Sequence, residues 1–102
     1  MIPEELSIQS VEKVYKKIKE FINFTPLIKA NQIVDKDLNT NVYLKYECFQ
    51  KSGSFKVRGA INNILSIDKK DLKNGITAVS AGNHAIAASY AANIFNLKNK
   101  IF

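Results

Sequence analysis

The chain has 102 residues, of which 46% are hydrophobic and 24% charged, a length and balance typical of one modest globular domain. Its net charge of +6 comes from 14 Lys and a single Arg set against 9 acidic residues. The lysines are scattered among Glu and Asp, so they indicate a solvated surface and argue against a nucleic-acid partner. No apolar run approaches the ~20 residues of a membrane helix, residues 1–5 lack the plan of a signal peptide, and Cys48 is the only cysteine. We therefore expect a cytoplasmic protein without a membrane partner.

The first half of the chain predicts a helix followed by a strand. Apolar residues recur at three- and four-residue steps over residues 8–22, with Lys and Glu between them. This pattern indicates an amphipathic helix with Ser7 or Ser10 as its cap. Thr25-Pro26 ends the helix, because a residue before proline is pushed out of the helical region. Residues 42–46 are rich in β-formers and are expected to form a strand.

The second half predicts two more helices and two more strands. We expect, in order, a helix over residues 55–66, turns or loops at residues 69–71 and 74–75, a strand over residues 76–80, an alanine-rich helix over residues 84–95 and a strand beginning at Lys100. This order predicts an α/β fold with a mainly parallel sheet. Because the chain stops where the last strand begins, we expect a truncated piece of a longer protein rather than a chain that pairs with a partner.

Lys56 is the first candidate catalytic residue. It follows the turn Ser52-Gly53-Ser54 at the predicted start of a helix. An amine attacks a carbonyl only when it is unprotonated, so a nucleophilic lysine needs a lowered pKa. Phe55 and Val57 are expected to desolvate this amine, and Arg58 or the helix N-terminus to disfavour its charge. The local sequence leaves open the alternative that Lys56 is an ordinary surface lysine.

The second candidate is the segment Ser80-Ala81-Gly82-Asn83-His84, which joins a predicted strand to a predicted helix. Such turns present backbone N–H groups and the positive end of a helix dipole, which suit a carboxylate or a phosphate. Gly82 permits close approach of a ligand, and the Asn83 amide suits a ring oxygen. The alternative is an ordinary turn in which Ser80 or Asn83 caps the helix. His84 is the only histidine and no cluster of acidic residues accompanies it, so no metal site is expected.

Taken together, these segments resemble a known family. The run KYECFQKSGSFKVRGA at residues 45–60, the segment SAGNHA at residues 80–85 and the element Thr25-Pro26-Leu27 are similar to the threonine dehydratase and serine racemase group. These are pyridoxal phosphate enzymes of fold type II, the tryptophan-synthase-β-like fold. The resemblance therefore implies part of that α/β fold and pyridoxal 5'-phosphate as the cofactor.

The resemblance also implies a role for each matching residue. Lys56 would be the Schiff-base lysine, Phe55 would pack near the cofactor, and Asn83 would contact the pyridoxal ring hydroxyl. The turn at residues 80–84 would hold the substrate carboxylate through its backbone amides. The implied reaction is a β-elimination in which Lys56 removes the α-proton of threonine or serine, and a 2-oxo acid and ammonia are released.

Ala81 distinguishes the activities within this group. Racemisation needs a second acid–base group on the face of the substrate opposite the lysine, and serine racemases place a serine immediately before Gly-Asn-His. Because an alanine side chain has no proton to give, the sequence favours a dehydratase, with a racemase as the alternative. Cysteine synthases and threonine synthases are less similar, since they have an acidic residue where Val57 stands.

Members of this family are several times longer and hold the cofactor phosphate with a glycine-rich loop. The present chain has four glycines, none of them adjacent, so we expect its 102 residues alone to fold poorly and to have little activity. We expect residues 1–66 to belong to the large cofactor domain and residues 67–102 to form the first βα unit of the small domain. A homo-oligomer is implied for the longer protein. The alternatives of another class are a non-catalytic interaction fragment and a small basic nucleic-acid binder.

Overall fold

The computed structural model of the chain describes residues 6–30 and 40–102. Along these residues the elements follow in the order α1 (Ile8–Ile18), β1 (Leu27–Lys29), β2 (Tyr43–Lys45), α2 (Lys56–Ile64), α3 (Lys69–Leu72), β3 (Ile76–Ala78), α4 (Asn83–Ile94) and β4 (Asn99–Ile101). Two single-turn 3-10 helices, Glu47–Phe49 and Lys51–Gly53, lie between β2 and α2. The α/β class expected from the sequence is confirmed.

The described strands form two separate pairs. β1 and β2 are antiparallel, with Ile28 opposite Leu44, whereas β3 and β4 are parallel, with Thr77 opposite Lys100. The expectation of a mainly parallel sheet is therefore wrong for the pair β1 and β2, which is antiparallel. Its strand β1 was not predicted, because three residues after a proline are too few to show the alternation of a strand. These three residues form a strand because they pair with β2, which lies some distance further along the chain.

Helices α2 and α4 pack against each other and form the centre of the hydrophobic core. The α2 helix contributes residues at i, i+3, i+4 and i+7, and α4 contributes small residues that let the two helices approach closely. Full burial of one branched aliphatic side chain such as Ile61 contributes about 1.5–3 kcal/mol. The buried residues are Val57, Ala60, Ile61 and Ile64 from α2 and Ala87, Ala88, Ala91 and Ala92 from α4.

The first helix covers one side of this core. Ile18 of α1 and Ile22 just after it are buried in the same cluster. Ser7 is the cap, and its Oγ accepts a hydrogen bond from the Ser10 amide at 3.2 Å, which confirms one of the two expected caps. The helix ends at Ile18 rather than at residue 22, because the following residues turn away before Asn23 bonds to another segment.

Several further boundaries differ from those predicted, most of them by one or two residues at the end of an element. Residues 69–71 were expected to be turn or loop, but they belong to the short helix α3. Helix α4 begins at Asn83, one residue earlier than expected. The core draws residues from both sides of position 66, and the division of the chain into two domains at that point stays a prediction.

Gly75 allows α3 to lead directly into β3. Its φ of 82° lies in the left-handed region, and a Cβ there would overlap the carbonyl oxygen of Lys98. Gly59, in α2, has no atom within 4 Å of the position of a Cβ. The two glycines therefore offer a matched comparison.

We expect Gly75→Ala to lower the free energy of unfolding by more than about 1 kcal/mol, because a methyl group is strained at positive φ and meets backbone. Gly59→Ala is expected to raise it by about 0.5–1 kcal/mol, since alanine is the better helix former. Urea unfolding followed by circular dichroism measures both. Equal effects of the two substitutions would contradict the close approach of Gly75 to Lys98.

Candidate active site

An ion pair with two hydrogen bonds anchors the first turn of α2. Arg58 donates from Nε to Oε2 and from Nη2 to Oε1 of Glu47, each at 2.8 Å. The buried Thr25 donates its hydroxyl to the same Oε1 at 2.5 Å. The hydrogen bonds from Arg58, with that of Thr25, lower the pKa of Glu47 from 4.5 to about 2, although burial opposes them. The Glu47 carboxylate in turn raises the pKa of Arg58, so both groups stay charged at neutral pH.

A buried glutamine anchors the chain ahead of this turn. The Gln50 side chain accepts from the Asn23 amide and donates to the Asn23 carbonyl, each at 2.8 Å. Its Oε1 also accepts from the amide of Lys51 at 2.9 Å. The side chain therefore bonds to the backbone of Asn23 as a neighbouring strand would, and it ties the segment before Lys56 to the segment after α1.

The turn between these anchors has an uncommon backbone conformation. Ser52 has a φ of 65° and Gly53 a φ of 73°, so two successive residues are left-handed. A serine in this region is less stable than a glycine, and such residues persist where the surroundings hold them. The Ser52 hydroxyl is buried without a hydrogen-bond partner in the described part of the chain. Ser54 then accepts from the Lys56 amide at 3.4 Å and leads into α2.

Lys56 is the first residue of α2, and its side chain is exposed. Its Nζ lies 5.3 Å from the centroid of the Phe55 ring. Within residues 6–30 and 40–102, Lys56 takes part in no ion pair. Val57 is fully buried in the core and Arg58 is paired with Glu47, so neither acts on the amine as the sequence suggested. Phe55 and the start of the helix are the two expected neighbours that remain.

A cleft of about 670 Å³ brings the two candidate segments together. It lies between α2, β3 and α4, and both Lys56 and His84 line it. The apolar part of its wall comes from Ala60 and Ile64 of α2 and from Ile76 of β3. An exposed amine and the start of a second helix thus face one space.

The turn at residues 80–84 leads from β3 into α4. Gly82 is the N-cap, and no side chain of the described residues caps the helix, so the alternative in which Ser80 or Asn83 is the cap is wrong. The Ser80 hydroxyl instead accepts from the Gly82 amide at 3.2 Å. A helix start without a side-chain cap in the described part of the chain is of the kind that can present its N–H groups to an anion.

Not every residue of that turn reaches the cleft. Asn83 and His84 are the first two residues of α4 and are both exposed. His84 lines the cleft, whereas residues 80–83 are not part of its described wall. Phe55 also lies outside the wall, 58% exposed beside Lys56. The roles of these residues in binding stay predictions.

The cleft wall contains polar residues that the sequence did not single out, namely Asn63, Asp71 and Thr77. The sequence could have identified Asn63, because it lies seven residues after Lys56 and therefore on the same face of α2. Asp71 and Thr77 carried no such signal. They reach the cleft only because α3 and β3 fold back toward α2.

Among residues 6–30 and 40–102, no group of three or more His, Cys, Asp and Glu is placed to hold a metal ion. Within those residues, no helix has both the length and the apolar character needed to span a membrane. Cys48 is a free, exposed thiol.

Comparison with known proteins places this arrangement in context. A family model described as pyridoxal-phosphate dependent enzyme matches residues 18–102. The biosynthetic L-threonine dehydratase of Staphylococcus saprophyticus is 41% identical over 97 residues, which are 95% of this chain and 23% of that protein. The serine racemase of Dictyostelium discoideum is 36% identical over 89 residues, or 87% of this chain and 27% of that protein.

A solved structure gives the same result at the level of the fold. The structure of maize serine racemase aligns with a TM-score of 0.82 and 33% identity, covering 92% of this chain and 29% of that one. The expected fold type is therefore confirmed. The chain spans about a quarter of the length of the curated relatives it matches.

The Glu47–Arg58 pair predicts how stability depends on pH. Because the pKa of Glu47 is about 2 in the folded chain, below its ordinary 4.5, its contribution is fully present above about pH 5 and is lost as the pH falls toward 2. Because the Glu47 side chain is partly exposed and therefore screened by solvent, this contribution to the free energy of unfolding is on the order of 2 kcal/mol. We expect Glu47→Gln to be less stable than wild type at pH 7 and nearly equal to it at pH 2, as measured by urea unfolding. Glu12→Gln, at an exposed site on α1, is the control and should change little at either pH. An unchanged pH dependence in Glu47→Gln would contradict the assignment.

Proposed function

We propose that this chain, which belongs to the family of pyridoxal-phosphate dependent enzymes, supplies the cofactor lysine and the substrate-binding turn of a threonine or serine ammonia-lyase. The observation that carries the proposal is that Lys56 and His84, from two segments distant in sequence, line one cleft. The likeness to a threonine dehydratase along almost the whole chain supports it.

The residues that are present fit the cofactor of this family. An aldehyde is captured by an accessible amine, and the Lys56 amine is exposed on the cleft wall and takes part in no described ion pair. An aromatic ring requires apolar walls, which Ala60, Ile64 and Ile76 provide. When bound, pyridoxal phosphate withdraws electrons from the α-carbon of an amino acid and so makes its α-proton removable.

The proposal assigns a role to each of the candidate site residues. Lys56 Nζ would hold the cofactor aldehyde and, once released, would accept the α-proton of the substrate. The Asn83 amide would hold the ring oxygen of the cofactor. The backbone N–H groups of Ser80 to His84, at the start of α4, hold the substrate carboxylate with help from the helix dipole. The substrate would lose its α-proton and β-hydroxyl as water and would take up one water on hydrolysis, which yields ammonia and the 2-oxo acid.

Elimination is preferred to racemisation because of Ala81. The curated relatives include both threonine dehydratases and serine racemases, so the likeness alone does not choose between the two reactions. A racemase must return a proton to the opposite face of the substrate, and the exposed methyl group of Ala81 has none to give. We further propose a cytoplasmic protein that acts on a small hydroxy-amino acid and that forms a homo-oligomer in its complete form.

The proposal predicts that pyridoxal phosphate reacts at one lysine in preference to the others. After incubation with the cofactor and reduction by borohydride, peptide mass spectrometry is expected to find the pyridoxyl group mainly on Lys56. Lys56→Ala should lose that label, and Lys17→Ala, which removes an exposed lysine of α1 whose Nζ bonds to Ser66 just after the C-terminal end of α2, should keep it. A label spread evenly over the lysines would overturn the proposal.

A chimera separates the two reactions. The chain would replace the matching segment of the Staphylococcus saprophyticus L-threonine dehydratase, to which it is 41% identical. We expect the chimera to release a 2-oxo acid from threonine, and Lys56→Ala to reduce that rate by at least about 10³-fold because the base and the attachment point are both lost. The 102-residue chain by itself is expected to give only background release. Formation of the D-amino acid as the main product of a folded chimera would support the racemase alternative instead.

A further inference from the structure

The proposed role of Lys56 raises the question of what holds this lysine in place. Its side chain is exposed, and its Nζ lies 5.3 Å from the centroid of the Phe55 ring. No ion pair in the described part of the chain restrains its Nζ. The position of the amine therefore depends on the backbone at the start of α2 and on the residues that hold this backbone in place.

We propose that Glu47 is a positioning residue for Lys56, acting through Arg58 with the help of Thr25. This inference rests on the proposed function, since it concerns the reactivity of the proposed cofactor lysine. Glu47 is not among the described residues that line the cleft. It therefore acts at a distance, by holding the helix that carries the lysine.

The geometry of α2 supports this indirect route. Residues 56 and 58 are separated by about 200° around a helix, so they project from nearly opposite sides. Arg58 is held on one side by two hydrogen bonds of 2.8 Å from its guanidinium to the Glu47 carboxylate. Lys56 projects from the other side into the cleft. A bidentate pair of this kind fixes both the rotation and the height of the first turn.

The segment between the two partners supplies the second argument. It contains the left-handed residues Ser52 and Gly53, a conformation that the chain leaves easily unless it is held. Before this turn, the Gln50 side chain holds the segment through two hydrogen bonds of 2.8 Å to the backbone of Asn23. After the turn, Arg58 holds the segment through its pair with Glu47. The turn that delivers Lys56 is thus fixed at both ends.

The other charged and polar groups around Glu47 act in the same direction. Lys45 donates from Nζ to the Thr25 carbonyl at 2.6 Å, and its charge also favours the ionised carboxylate. Tyr15, on α1, faces Arg58. The Thr25 hydroxyl is the one neutral donor to Glu47 among the described residues. It can be removed without altering any charge, which makes it the most selective site to change.

The test measures the rate at which pyridoxal phosphate and borohydride label Lys56 in the full 102-residue chain, relative to labelling of the other lysines. Glu47→Gln and Thr25→Val are expected to lower the Lys56 rate about tenfold, since a displacement of the reacting group by a fraction of an ångström has effects of this size. Thr25→Ser, which keeps the hydroxyl, should restore the wild-type rate. All variants are compared at a temperature where circular dichroism shows each to be folded.

The control is Ile61→Val, which weakens the same helix from its core side and leaves the Glu47–Arg58 pair intact. It is expected to keep the Lys56 rate within about twofold of wild type. If Ile61→Val lowers the rate as much as Thr25→Val, or if Thr25→Val and Glu47→Gln leave it unchanged, the positioning role is overturned and the proposed function stands. If wild type shows no preference for Lys56, the proposed function and the positioning role both fail.

Discussion

The Glu47 carboxylate joins three segments that are far apart in the sequence. It accepts hydrogen bonds from Thr25, which follows α1, and from Arg58, in the first turn of α2. Glu47 itself lies in the 3-10 turn after β2. In a half-buried ion pair, the hydration that both groups lose offsets part of the attraction between them. The effect of the Glu47 pair is also geometric, since the segments that meet at Glu47 hold the turn before Lys56.

The packing of α2 on α4 is the second constraint, and it brings the two candidate segments into one site. Lys56 begins α2, and Asn83 and His84 begin α4. The small side chains of α4, such as Ala87 and Ala91, are buried in the same cluster as Ile61 and Ile64 of α2. With larger residues at these positions the helices would lie further apart, and the cleft between their first turns would widen. The alanine-rich composition of α4 is thus tied to the geometry of the site.

The sequence suggested that the neighbours of Lys56 lower the pKa of its amine, but the structure places two of these neighbours elsewhere. Val57 and Arg58 were expected to act on its amine, but the first is committed to the core and the second to Glu47. Neighbours in sequence point to different sides of a helix, so adjacency along the chain is a poor guide to adjacency of side chains. Asn63, seven residues further on, shares the cleft with Lys56 although it was not singled out.

The sequence by itself determined the α/β class, the periodic helices α1 and α2, the alanine-rich α4 and the two segments that resemble a pyridoxal phosphate enzyme. These follow from local patterns, because helical periodicity and turn residues act over a few positions. The tertiary structure decided the antiparallel pairing of β1 with β2, the helical turn at α3 and the ends of α1. It also decided that Lys56 and His84 line one cleft and that Arg58 turns away to Glu47. These features depend on contacts between distant residues, which no local pattern encodes.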